Sequence, residues 1–178
     1  MNELLTKLAA YGIDLARFGH GEAKSVAHLY AEIDSGEAEL IERGGQLIRR
    51  VAVLNVDVFA DVGGRRMVLT EDRQVFADGR PRRRALPSSV SEKLHKGEDR
   101  ETAVARALAE ELGIGRFTRI SAFAETATTR ESQSFPGILS EFAVHHVAVL
   151  IDPEEYREEY REDQLDKSTW FVWRAASA

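Results

Sequence analysis

A chain of 178 residues with 43% hydrophobic and 30% charged residues is long enough to bury a sizeable core, and that balance excludes wholesale disorder. A formal net charge of −6 excludes general affinity for nucleic acid or an anionic membrane, which needs a surplus of Lys and Arg, while leaving room for a local basic patch. The absence of cysteine removes disulfides and thiolate zinc sites.

Residues 1–48 read as helical and capping material. Leu4, Leu5, Leu8 and Ala9 recur at helical spacing before Gly12, Gly19 and Gly21 interrupt. A second helix is predicted over residues 23–36, with Val26, Leu29, Tyr30 and Ile33 as its apolar stripe and Gly36 as its stop. The N-terminal segment mixes charge with apolar residues rather than forming a signal core, and no apolar run reaches the ~18 residues of a spanning helix. A cytoplasmic protein is expected.

From Arg50 the period changes. Residues 51–60 alternate apolar with small or polar side chains, Gly63-Gly64 predicts a hairpin turn, and residues 78–80 predict another, which together make a β-meander. A helix follows over residues 99–112, ended by Gly113, with Val104, Leu108 and Leu112 as its seam. Residues 119–127 read as a strand, 128–141 as turns, 142–151 as a long apolar strand and 168–173 as a closing strand. The acidic stretch 152–163, with Tyr156 and Tyr160 and also Arg157 and Arg161 four apart, reads as a short exposed helix.

Chemistry concentrates in KGEDRETAVARALAEELGI, residues 96–114. Glu98, Arg106, Leu108, Glu110, Glu111, Gly113 and Ile114, with Gly97 beside them, fall at the spacing of the box G-x5-E-x7-R-E-U-x-E-E-x-G-U, where U is aliphatic. In these positions the chain resembles the Nudix superfamily, and the likeness extends over about residues 48–174. The resemblance implies an α+β fold, a Nudix-type α/β/α sandwich with a mixed sheet. It assigns residues 1–48 to an N-terminal helical extension and residues 49–178 to a Nudix-like domain. It also implies a divalent-metal-dependent hydrolase of a nucleoside diphosphate linked to another moiety. Glu110 and Glu111 would then be the ligands of Mg2+ or Mn2+, Glu98 would support them, and Arg106 would orient Glu98.

The chemistry explains the spacing. A pyrophosphate must be neutralised before water attacks it, and hard oxygen ligands on one helix face place the cation that does so. Glu110 and Glu111 near a helix C-terminus also oppose its dipole, which favours a bound cation there; the alternative is an inert acidic helix end. Two positions depart from the box: Glu92 stands at the first glycine, and Ala107 replaces the glutamate after the arginine. Losing that carboxylate would lower the rate by roughly 100-fold or more. Glu101, Glu125, Glu131, Glu162, Asp163 and Asp166 are the substitutes on hand, each otherwise a solvated surface acid.

Arg73, Arg82 and Arg84 suit phosphate oxygens as bidentate guanidinium partners, unless they point into solvent from a strand. Phe135, before Pro136 and Gly137, either stacks on a base or plugs a loop. His145 and His146 are adjacent in a strand, point to opposite faces and cannot chelate one ion together. Residues 18–25 lack a lysine and Ser/Thr at phosphate-loop spacing, have no apolar strand before them and read as a connecting turn. Two functions from different classes follow. One is a hydrolase of reduced activity, and the other a catalytically silent module for a nucleotide-like small molecule or a protein partner. The N-terminal helices offer a surface for a homodimer, a lid or a partner dock.

Overall fold

The computed structural model describes residues 1–83, 86 and 88–176. Its helices are α1 (Asn2–Ala10), α2 (Val26–Asp34) and α3 (Arg100–Leu112). Its strands are β1 (Glu39–Arg43), β2 (Gln46–Val62), β3 (Arg65–Phe76), β4 (Pro81–Arg82), β5 (Val90–Lys93), β6 (Phe117–Arg119), β7 (Ala124–Glu131), β8 (Leu139–Ile151), β9 (Glu159–Asp163) and β10 (Lys167–Ala175). The fold is α+β, a mixed sheet with few helices. None of the described helices is long and apolar enough to cross a membrane. The chain forms two compact units, and β2 and β8 contribute residues to both.

The first unit comprises residues 1–53, 93–98 and 125–144. Helix α2 starts at Val26 rather than at the predicted residue 23, because Ser25 and His28 cap each other there: the Ser25 hydroxyl accepts from the His28 backbone N–H, and the His28 ring accepts from the Ser25 N–H. Its inner face presents Leu29, which joins Leu4, Leu8, Phe18, Leu47, Phe135 and Ile138 in one apolar cluster. The helical reading of residues 1–48 is corrected from residue 39 onward. Gly44 and Gly45, with φ of +58° and +75°, close a two-residue hairpin in which Arg43 pairs with Gln46. Such a turn needs left-handed backbone at both positions, which glycine adopts without steric cost.

A buried ion cluster sits in this unit. Glu32 and Arg49 are each 5% exposed. The Arg49 Nε donates to the Glu32 carboxylate at 3.1 Å, and the ammonium groups of Lys93 and Lys24 approach the other oxygen at 2.8 and 2.9 Å. Burial alone would push the Glu32 carboxyl up, but hydrogen bonds from Lys93, Lys24 and Arg49 outweigh it and hold the group at about 2.

The second unit holds residues 54–92, 99–124 and 145–178. Its strands follow the order β6-β8-β2-β3-β10-β9. The β2–β3 hairpin turns on Gly63-Gly64, as predicted, with Val62 opposite Arg65. Helix α3 begins at the Asp99 cap, whose carboxylate accepts from the Thr102 N–H at 3.1 Å, and ends at Gly113 with φ of +66°. Because an L side chain strains that left-handed cap, Gly113→Ala is expected to cost about 1 kcal/mol, read as a lower urea midpoint with unchanged slope. The acidic stretch forms no helix. After a single 3-10 turn at Pro153–Glu155 it becomes β9, and Tyr160 is buried within it. Pairing with β10 overrides the i,i+4 spacing, setting Tyr160 opposite Phe171.

Candidate functional site

Helix α3 carries most of the box. Its buried face is Ala103, Val104, Ala107, Leu108 and Leu112. Ala107 is 0% exposed, so the position where the resemblance expects a carboxylate is occupied by a methyl group in the core. One turn further on, Glu110 is exposed and accepts from the Arg106 guanidinium at 3.2 Å, while Glu111 is half-buried. At the helix end, a Cβ placed on Gly113 would meet an Arg157 guanidinium nitrogen at 3.9 Å. The chain therefore supplies two cations to the last turn of α3. The electrostatic need that the sequence argument assigned to a metal is met in part by arginines.

Glu98 belongs to the loop that precedes the helix. Its carboxylate accepts from the His95 N–H at 2.9 Å, and its own N–H donates to the His95 carbonyl at 3.0 Å, across Gly97 at φ of +77°. Of the substitute acids, Glu101 is paired with Arg119 at 2.7 Å and Asp163 with Arg161 at 2.7 Å. Among the described residues no three Asp, Glu, His or Cys side chains come together as a metal-holding group.

The predicted phosphate-binding residues fare differently from one another. Arg73 lies on β3, pairs with Asp72 at 2.8 Å and places its guanidinium carbon 4.7 Å from the centre of the Trp170 ring. Arg82 is exposed on β4, opposite Gln74 on β3, so Arg73 and Arg82 sit on neighbouring strands. Arg84 lies outside the described residues. Phe135 cannot stack on a base: it is 0% exposed in the core of the first unit, 6.0 Å from the Phe18 ring and beneath the Arg49 guanidinium. It is the plug under the loop, held by the Ser132 hydroxyl accepting from its N–H at 3.0 Å.

The sequence reading missed a site at the junction of β3 and β10. Register shifts there: Arg73 pairs with Trp170 and Glu71 with Phe171, which leaves Asp72 as the extra residue of a β-bulge. Asp72 is half-buried and collects Arg73, Arg83 at 3.8 Å and Arg174 at 3.7 Å. The Arg73 hydrogen bond is the chief cause that holds its carboxyl below the usual range. Only the two tryptophans and the run of arginines at 82–84 could have hinted at it in the sequence.

A separate cavity of about 670 Å3 opens in the first unit. It is lined by Leu4, Ile33, Leu40 and Leu94 and by Lys96 and Glu98, among others. Its lining Lys and Arg side chains are already paired: Lys96 with Glu39 at 3.2 Å, Lys7 with Glu42 at 3.0 Å and Arg50 with Glu141 at 3.0 Å.

No family model matches the chain, and no curated protein matches it. Nudix proteins are among the solved structures to which it is similar. An Ap4A hydrolase of C. elegans in a binary complex shares 14% identity, covering 70% of this chain and 79% of that one, with a TM-score of 0.43. The Nudix domain of NrtR from Shewanella oneidensis, complexed with ADP-ribose, shares 14% over 71% of this chain and 73% of that one, with a TM-score of 0.35. DR0079 from Deinococcus radiodurans shares 18%, covering 68% and 66% of the two chains, with a TM-score of 0.27. Likenesses of this degree carry no weight for the site, which rests on the residues described above.

Proposed function

We propose that this protein is a catalytically silent Nudix-like module that recognises a nucleotide-like small molecule. The observation that carries this reading is the core burial of Ala107 on the helix that bears Glu110 and Glu111. On this reading the Nudix-like domain spans residues 49–178, and residues 1–48 are an addition that serves a homodimer or a protein partner. Arg73 and Arg82 contact phosphate, joined by Arg84, and the protein works in the cytoplasm.

The hydrolase reading keeps one observation in its favour, the seven box positions in register. In it Glu110 and Glu111 hold Mg2+ or Mn2+ weakly, Glu98 supports them and Arg106 orients Glu98.

Calorimetric titration separates the two. Mg2+, Mn2+ and ADP-ribose are titrated into the wild type and Glu111→Gln, and hydrolysis is followed in the same samples. The module reading expects ADP-ribose binding that survives Glu111→Gln, with no metal-dependent turnover in either protein. Metal binding and turnover that both vanish in Glu111→Gln would establish the hydrolase instead.

A further inference from the structure

The geometry points to the arginine cluster on the β3 bulge as a binding site for a dianionic phosphate group of a small ligand. This rests on the proposed nucleotide-like ligand and locates its phosphate end. Three guanidinium groups, those of Arg73, Arg83 and Arg174, surround the single carboxylate of Asp72. Among the described ion pairs, three cations thus face one carboxylate there, in a chain whose net charge is −6.

Like charges held together in this way repel one another unless an anion offsets them, and a pyrophosphate or terminal phosphate carries the matching charge. The cations are accessible: the side chain of Arg83 is 74% exposed and that of Arg174 is 60% exposed.

The donors are also held in place. Arg73 and Arg161 lie opposite Trp170 from the two neighbouring strands, with guanidinium carbons 4.7 and 5.0 Å from the ring centre. Contact with the ring restrains each guanidinium, which lowers the entropy cost of bidentate phosphate recognition. Arg161 is further tied by Asp163, and Arg174 donates through Nε to the Thr70 hydroxyl at 3.1 Å. The bulge brings this about, since it leaves Asp72 without a strand partner and sets it beside Arg73. A phosphodiester backbone presents the same oxygens, but the acidic chain as a whole opposes a polyanion.

The test is calorimetric titration of inorganic pyrophosphate into the whole protein at low salt without divalent metal, with ADP-ribose and a single-stranded oligothymidylate as parallel ligands. Arg83→Gln and Arg174→Gln, both at exposed positions, are each expected to weaken pyrophosphate binding roughly tenfold, the loss of one charge-assisted contact. Arg116→Gln is expected to leave it unchanged, because Arg116 is already paired with Glu154 and Glu155. Absence of pyrophosphate binding, an equal loss in Arg116→Gln, or binding of the oligothymidylate alone would overturn the assignment. ADP-ribose binding that is insensitive to Arg83→Gln and Arg174→Gln would remove this site while leaving the proposed function standing. Failure of all three ligands to bind would remove both.

Discussion

Ala107→Glu is expected to destabilise the protein by about 3 kcal/mol or more and to leave it without metal-dependent hydrolysis. On sequence alone the substitution looks like a repair, since it restores the glutamate that the box otherwise carries. The site is nevertheless 0% exposed and shares its helix face with Ala103, Val104 and Leu108. Four extra heavy atoms would overpack that face, and a carboxylate would lose its water without gaining a described partner. Urea unfolding with and without added Mg2+ measures both parts of the claim. If the variant keeps the wild-type midpoint, or gains stability and turnover from Mg2+, a working metal site exists beside α3 and the module reading is wrong.

Glu32→Gln is expected to cost about 3–5 kcal/mol, because it strips the counter-charge from a buried arginine. The side chains of Glu32 and Arg49 are 7% and 6% exposed, so solvent screens their interaction little, whereas Lys24 at 45% contributes less. The pH dependence has a definite sign. The Glu32 carboxyl is held at about 2 in the folded protein, below its ordinary value, so its contribution is complete above about 4.3, the usual glutamate value. That contribution is lost as pH falls through about 2. Wild-type stability should therefore decline on acidification through this window, and Glu32→Gln should decline less steeply. Replacing both partners by apolar residues, Glu32→Leu with Arg49→Met, should recover part of the loss. A single variant within experimental error of the wild type at pH 7 would show that the cluster is not a source of stability.

Features encoded within a few residues were legible before the fold was known. The Gly113 stop and the seam of α3 emerged as read, and so did the Gly63-Gly64 turn and the strands around residues 51–60 and 142–151, while Asp99, read as the first helical residue, is the cap. The same glycine pair at 44–45 makes an equally sharp hairpin, inside a segment whose surroundings read as helical. Backbone handedness was available at both places, but flanking periodicity masked it at one.

The position of α3, the box residues on it and the missing carboxylate at Ala107 were legible in residue order, because helical period, a glycine stop and residue identity are local properties. Tertiary structure alone decided that Ala107 and Phe135 are core residues, that Tyr160 pairs into a strand, and that Arg83 and Arg174 meet at Asp72. Exposure and charge convergence depend on which strand lies beside which and in what register. A one-residue bulge between β3 and β10, invisible in residue order, sets that register at Asp72.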